Sequence, residues 1–132
     1  GNKSDAVELF RRSAAQGFTN AMTSLGVMYA QGNGVERDYG ETFRYYEMAA
    51  KSGNPHAVRG IGLLYLNGEG VPVDAVEAAA HLVLAHTLGN PSAQTSLDIA
   101  ASRLDDEDVL TVGSRAIELA RLYGYDLSEA AD

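Results

Sequence analysis

An internal repeat of 36 residues is the feature that most constrains this 132-residue chain. Residues 21–55 align with residues 57–91 at that one offset without a gap. The offset pairs Gly26 with Gly62, Tyr29 with Tyr65, Gly32 with Gly68, Asp38 with Asp74, and Pro55 with Pro91. Units repeated at a fixed period bury their apolar faces against each other. The repeat therefore predicts a stack of similar units.

Each unit is predicted to form two antiparallel helices. Residues 21–31 carry an apolar stripe with i, i+4, i+8 spacing, which is typical of a helix, here termed helix A. Gly32 follows, and glycine favours the left-handed conformation that ends many helices. Asp38 occupies a position suited to an N-cap, because its carboxylate can accept from free backbone N–H groups. Helix B is predicted over residues 39–52, with Asn54-Pro55 as the turn into the next unit.

Two glycines stand in the middle of the predicted A helices. Gly26 and Gly62 occupy equivalent positions, where glycine costs about 1 kcal/mol relative to alanine. Recurrence of this unfavourable choice indicates a compensating contact. We expect helices A and B to cross so closely there that a side chain would separate them.

The two ends of the chain depart from the repeat. We expect a single all-α solenoid, with seven helices and no strand, in which the C-terminal helix begins near Asp106 and is capped by Asp105 or Asp106. Its layout is a partial repeat (helix B only) at 5–17, repeats at 21–56 and 57–92, a degenerate capping helix pair at 93–123, and a frayed tail at 124–132.

The composition excludes several classes of protein. The chain has no cysteine, which rules out disulfides, thiolate zinc sites and a cysteine nucleophile. No apolar run approaches the ~18 residues of a membrane span. The net charge of −8, without a basic cluster, argues against binding nucleic acid or anionic lipid. The chain begins Gly-Asn-Lys rather than Met, so we expect a removed upstream region, and bacterial cytoplasm and periplasm both stay open.

No motif points to catalysis, a metal or a cofactor. The Gly-x-Gly pairs lack the Gly-Lys-Ser/Thr of a phosphate loop and follow no strand. The three histidines do not cluster in sequence, and Asp105–Asp108 lacks the spacing of a calcium loop. No serine has a recognisable base and orienting acid. We therefore expect a non-enzymatic protein without metal or cofactor.

The repeat resembles the Sel-one-like repeat (SLR) family, a relative of the tetratricopeptide repeats. The pattern A-x3-L-G-x2-Y-x2-G-x-G-V-x2-D spans residues 21–38, and AA-x2-G follows at 49–53. The third unit departs by losing both glycines and the valine, and His81 stands where the family often has an aromatic residue. The resemblance implies a right-handed α-α superhelix that acts as an adaptor or scaffold. It also implies a role in processes such as bacterial signalling or envelope-related regulation.

Helix geometry selects the residues of helices A that point away from helix B. They are Asn20, Thr23, Val27, Ala30, Gln31, His56, Arg59, Leu63, Leu66, Asn67, Thr95, Ile99 and Ser102. The family resemblance implies that this face is concave and holds a protein or peptide partner. Val27, Leu63, Leu66 and Ile99 are expected to form an exposed apolar strip, which is typical of interaction sites, unless they pack against neighbouring A helices.

Two hypotheses of function remain. In the first, the face described above holds a partner segment, and Arg59 binds a carboxylate of that segment. The alternative for Arg59 is a solvated or helix-pairing role. In the second, the chain is a structural segment of a longer scaffold. Its helix at 5–17 lacks a helix A, which would expose Leu9, Phe10 and Ala14 and allow stacking or self-association through the N-terminal end.

Overall fold

The computed structural model describes residues 2–127, which form seven α-helices and no strand. The helices are α1 (Asn2–Ala15), α2 (Thr19–Gln31), α3 (Tyr39–Lys51), α4 (Pro55–Asn67), α5 (Ala75–Thr87), α6 (Ala93–Ala101) and α7 (Asp106–Tyr123). The pairs α2–α3 and α4–α5 pack along their lengths, and α3 packs on α4 to join one pair to the next. The predicted all-α stack of antiparallel helix pairs is confirmed.

The A helices begin two residues earlier than predicted, at Thr19 and Pro55. The Asn54 side chain accepts from the backbone N–H of His56 at 3.0 Å, and Pro55 occupies the first turn of α4. Proline is favoured there, because its missing N–H would have no partner inside the helix. The Asn-Pro pair that was interpreted as a turn is therefore the start of the helix.

Three other predicted helix ends are confirmed, whereas α1 spans Asn2–Ala15 instead of the predicted 5–17. Asp38 accepts from the backbone N–H of Glu41 at 3.2 Å and caps α3. Asp105 accepts from the N–H of Asp108 at 2.8 Å and caps α7. Gly32 ends α2 in the left-handed region with φ of 66°. Local sequence signals thus determine these boundaries.

Glycine allows helices A and B to cross closely in both full repeats. A Cβ atom added at Gly26 would lie 2.6 Å from Cδ1 of Tyr46 on α3. A Cβ at Gly62 would lie 3.0 Å from Cγ of Leu82 on α5. Tyr46 and Leu82 are 36 residues apart, so the contact recurs with the repeat. The hydroxyl of Thr42 adds a buried hydrogen bond of 2.8 Å to the Gly26 carbonyl. The expected close crossing is confirmed.

The Tyr46 ring also joins successive pairs. Its second edge faces α4, where a Cβ added at Gly60 would lie 2.6 Å from Cε2 of the ring. The ring is therefore held between Gly26 of α2 and Gly60 of α4. One side chain of helix B thus sets the spacing between consecutive A helices.

Aromatic stacking repeats along the core. The rings of Tyr29 and Tyr45 stack with centroids 5.9 Å apart, and those of Tyr65 and His81 stack at 5.6 Å. The second pair is the first shifted by 36 residues, with His81 in place of a tyrosine. The Tyr29 hydroxyl accepts a hydrogen bond of 2.7 Å from Nη2 of Arg11, which ties α1 to α2. The tyrosines at these positions thus form contacts between helices.

His81 is buried and links α5 to α7. Its Nδ1 lies 2.8 Å from the Glu77 carbonyl oxygen, and its Nε2 lies 2.8 Å from the Tyr123 hydroxyl. Because a carbonyl only accepts, Nδ1 carries the proton and Nε2 accepts from Tyr123. Burial lowers the pKa of His81, which favours this neutral form.

The last two helices do not form a close pair. Both α6 and α7 pack on α5, and they share almost no close contact with each other. Arg115 of α7 makes a bidentate ion pair with Glu77 of α5, at 2.5 Å from Nε to Oε1 and 3.2 Å from Nη2 to Oε2. This ion pair and the His81–Tyr123 hydrogen bond hold α7 against α5.

The predicted frayed tail is wrong for the residues directly after α7. The Tyr125 hydroxyl donates a 2.7 Å hydrogen bond to the Ala50 carbonyl at the end of α3, and its backbone N–H donates to the Ala120 carbonyl at 2.8 Å. The half-buried Leu127 packs against the core. A half-buried aromatic ring and two hydrogen bonds thus anchor this segment, whereas residues 128–132 lie outside the described part of the chain.

Gly62→Leu is expected to destabilise the fold by about 1–3 kcal/mol, the usual cost of overpacking, because the new side chain meets Leu82 and the Ala78 carbonyl. Urea unfolding measures this change. Gly113→Ala is the matched control, since Gly113 is also helical but has open space around its Cβ position. It should stabilise by up to about 1 kcal/mol. Equal effects of the two substitutions would contradict the close crossing.

The buried neutral His81 predicts a pH dependence of stability. Its pKa in the fold lies below the ordinary 6.5, so the unfolded chain takes up a proton first as the pH falls. The contribution of neutral His81 to the free energy of unfolding is fully present above pH 6.5. It is lost progressively as the pH falls from there towards the lowered pKa of His81 in the fold. Urea unfolding at pH 7.5 and pH 5.5 should show this loss, and His81→Phe should reduce the difference. An undiminished difference in the variant would assign the pH dependence to other groups.

Candidate functional site

The predicted face begins on α2, where the structure places most of its members at the surface. Asn20 and Gln31 are exposed, and Val27 retains 40% of its accessible surface. Thr23 and Ala30 are half-buried, and the Thr23 hydroxyl donates a 2.9 Å hydrogen bond to the Asn20 carbonyl. This helix therefore presents one large aliphatic side chain between polar neighbours.

Three of these residues share an open hollow of about 360 Å³ between α1 and α2. Its lining consists of Phe10, Thr23, Ser24, Val27, Met28, Gln31 and Asn33. The side-chain oxygen of Asn33 is buried there without a hydrogen-bond partner. No signal in the sequence points to Asn33. It follows the capping Gly32, and the equivalent residue of the next repeat is Glu69, so the residue type is not repeated.

On α4 the prediction of an exposed strip is wrong for Leu66, which is only 5% exposed. The helix packs against α3, α5 and α6, so its buried surface is wider than the stripe facing α5. In addition, Nη1 of Arg103 donates to the Leu66 carbonyl at 3.2 Å and brings the end of α6 over this turn. Leu63 is half-buried, and Asn67 is exposed.

Arg59 lies in the middle of α4 with an unsatisfied donor. The side chain is half-buried, and its Nε is buried without a hydrogen-bond partner. Its charge acts on the Tyr46 phenol, whose pKa is raised by burial and lowered in part by Arg59. Because this Nε is enclosed by the fold, an acceptor from outside the chain would have to pair with the rest of the half-buried guanidinium.

His56 is exposed at the start of α4 but has a partner. The amide of Asn90 donates to Nδ1 of His56 at 3.2 Å, and the Ser92 hydroxyl donates to the Asn90 side-chain oxygen. Asn90 is itself buried and precedes α6. Sequence reasoning had not assigned Asn90 a role, although its alignment with the capping residue Asn54 was the available signal.

The remaining predicted residues lie on α6. Thr95 and Ser102 are exposed, and Ile99 is 45% exposed. The Ser102 hydroxyl donates to the Ile99 carbonyl at 2.7 Å. With Leu66 buried, the large aliphatic side chains at the surface of this face are Val27, the half-buried Leu63 and Ile99, one on each A helix. We refer to these three helical surfaces, with Arg59 between them, as the A face.

Other kinds of site find little support in the described part of the chain. Across residues 2–127, no group of three or more His, Asp or Glu side chains is placed to hold a metal ion. Over the same residues, no helix is long and apolar enough to cross a bilayer. His86 is exposed, and His81 is buried in the core.

Comparison with known families assigns this architecture. The Sel1 repeat family matches residues 1–18, 19–54 and 55–90, which keeps the 36-residue period. The chain belongs to the Sel1 repeat family. Members of this family are generally non-catalytic scaffolds for protein interaction. The resemblance inferred from the Gly, Tyr and Asp positions of the repeat is confirmed.

Solved structures of the same fold cover most of the chain. A protective antigen from uropathogenic Escherichia coli strains, which displays an SLR fold, matches 91% of this chain with a TM-score of 0.84 and 29% identity. A Sel1 repeat protein from Oxalobacter formigenes matches 87% of it with a TM-score of 0.71 and 31% identity. The chain spans 26% and 49% of those proteins, respectively.

One curated relative has a named role. It is an exopolysaccharide production negative regulator from Rhizobium leguminosarum bv. viciae, 42% identical over 50 residues. The match covers 38% of this chain and 19% of the regulator. The similarity therefore concerns a segment of 50 residues and not the whole regulator.

Proposed function

We propose that this Sel1 repeat chain is a non-enzymatic adaptor that holds a segment of a partner protein along the A face. The observation that carries the proposal is Arg59, a half-buried guanidinium side chain on the central A helix. A carboxylate on the bound segment would pair with the charge of this guanidinium through its terminal Nη atoms. Such charge-assisted hydrogen bonds contribute about 1.5–3 kcal/mol.

The surroundings of Arg59 suit an extended or helical segment. Val27 and Ile99 supply exposed apolar contacts on the flanking A helices. Exposed polar side chains border them, namely Asn20 and Gln31 on α2 and Asn67 on α4. An apolar centre with a polar rim is the usual composition of a protein interface.

We propose a pathway in bacterial signalling or envelope-related regulation. The similarity of one segment of this chain to the regulator of exopolysaccharide production supports such a setting. The support comes from that segment alone, since the match covers 19% of the regulator.

Affinity capture from a lysate of the source organism, read out by mass spectrometry, tests the A face. The double variant Val27→Asp/Ile99→Asp should lose a partner that the wild type captures, because both substitutions place charge in the apolar contacts. Leu122→Asp is the matched control, since Leu122 is 57% exposed on α7, outside this face. Capture of the same protein by all three forms would contradict the proposal.

Arg59→Gln tests the carboxylate contact separately. Once a partner segment is identified, its affinity for this variant should fall by at least about tenfold, the equivalent of 1.4 kcal/mol. Replacement of the acidic residue of the segment by its amide should produce the same loss, and the double change should add little. Additive losses would show that the two groups do not interact.

A second candidate function is a structural segment that stacks or self-associates through its N-terminal end. Leu9 and Phe18 are 63% and 60% exposed there. The expected exposure is wrong for Phe10, which is half-buried, and for Ala14, which is buried, because α1 packs against α2. Sedimentation analysis over a wide range of concentration should then show association that Leu9→Ser/Phe18→Ser removes. A monomer at every concentration would exclude this candidate.

A further inference from the structure

A second apolar surface lies at the C-terminal end of the fold, in a cleft of about 400 Å³ between α6 and α7. Val83 of α5 forms part of its floor. Leu97 and Ala101 line it on the α6 side, and Val109 and Val112 line it on the α7 side. Val109 is 54% exposed, so the cleft is open to solvent.

Two departures from the repeat explain why this cleft is open. Asp98 occupies the position of Gly62, at which helix A closely approaches helix B in the preceding pair. Ala101 occupies the position of Tyr65, whose ring packs between Phe43 and His81. The third pair therefore lacks both the glycine that allows close crossing and the ring that fills the space.

The cleft is separate from the A face. At 100° per residue, Leu97 and Ala101 lie about 200° around α6 from Ile99. A partner in the cleft would thus contact the opposite side of α6. The two surfaces can be altered independently by substitution.

The surroundings of the cleft are strongly acidic. Asp98 lines it, and Asp105, Asp106, Glu107 and Asp108 lie together at the start of α7. The one basic residue between positions 93 and 114 is Arg103, whose guanidinium already donates to the Leu66 carbonyl. An apolar cleft with this border complements a segment that combines apolar and positively charged side chains.

We propose that this cleft docks an amphipathic helical segment of a partner protein, with an apolar face flanked by Lys and Arg residues. The apolar face packs against Leu97, Val109 and Val112, as helices bind in apolar grooves of other proteins through i, i+3, i+4 anchors. The basic residues lie near Asp98 and the acidic start of α7. The segment takes the place that the Tyr side chain and the closely crossing helix fill in the earlier pairs.

The test uses a synthetic amphipathic peptide of Leu and Lys, with Leu at i, i+3, i+4 and i+7, and titration calorimetry at physiological ionic strength. Ala101→Tyr restores the repeat residue and fills the cleft, so affinity should fall by at least about tenfold. Leu110→Ser is the matched control, because Leu110 is 81% exposed beside Val109 and is not in the lining. It should bind like the wild type, and so should Val27→Asp/Ile99→Asp.

Several results would overturn the proposal. Equal affinity of wild type and Ala101→Tyr would place the peptide elsewhere, and equal affinity for a Leu/Glu peptide of the same pattern would remove the role of charge. Dimerisation of the wild type that Ala101→Tyr abolishes would make a second copy the occupant. Circular dichroism verifies the fold of each variant. If Ala101→Tyr does not fold, Val109→Ser replaces it, with the same loss expected.

Discussion

The close crossing of helix A over helix B at Gly26 and Gly62 is the contact on which the stack depends. It places Tyr46 and Leu82 directly against the backbone of the neighbouring helix. The Tyr46 ring lies between Gly26 of α2 and Gly60 of α4, and it thereby fixes the distance between these two consecutive A helices. Because each unit contacts mainly its neighbours, a repeated local contact of this kind is sufficient to define an extended fold.

The C-terminal end shows what happens where that contact is missing. With Asp98 and Ala101 in place of glycine and tyrosine, α6 and α7 both turn to α5 instead of packing on each other. Polar interactions then hold α7, through the Arg115–Glu77 ion pair and the His81–Tyr123 hydrogen bond. The last unit thus closes one side of the core and leaves an apolar cleft on the other. We propose that the fold thereby offers partners two surfaces, on opposite sides of α6.

The sequence predicted those features of the fold that depend on residues close together in the chain. The helix caps at Asp38 and Asp105 and the tight crossing at Gly62 follow from residues within one repeat. Contacts between distant segments carry no such signal, so the Tyr125–Ala50 hydrogen bond, 75 residues apart, was missed. On the A face, periodicity gave the direction of each side chain but not the width of the buried surface. For that reason the prediction of exposure is wrong for Leu66, which is buried, but correct for Asn20 and Ile99, which are exposed.

The most direct test of this account is the distance between α6 and α7, measured by pulsed electron paramagnetic resonance. Because the chain has no cysteine, spin labels can be attached selectively to cysteines introduced at the exposed positions Thr95 and Ser114. The double variant Asp98→Gly/Ala101→Tyr restores both repeat residues. The account predicts a shorter mean distance than in the otherwise unchanged labelled protein, as α7 moves onto α6. An unchanged distance would contradict the claim that glycine-dependent crossing sets the packing of each pair.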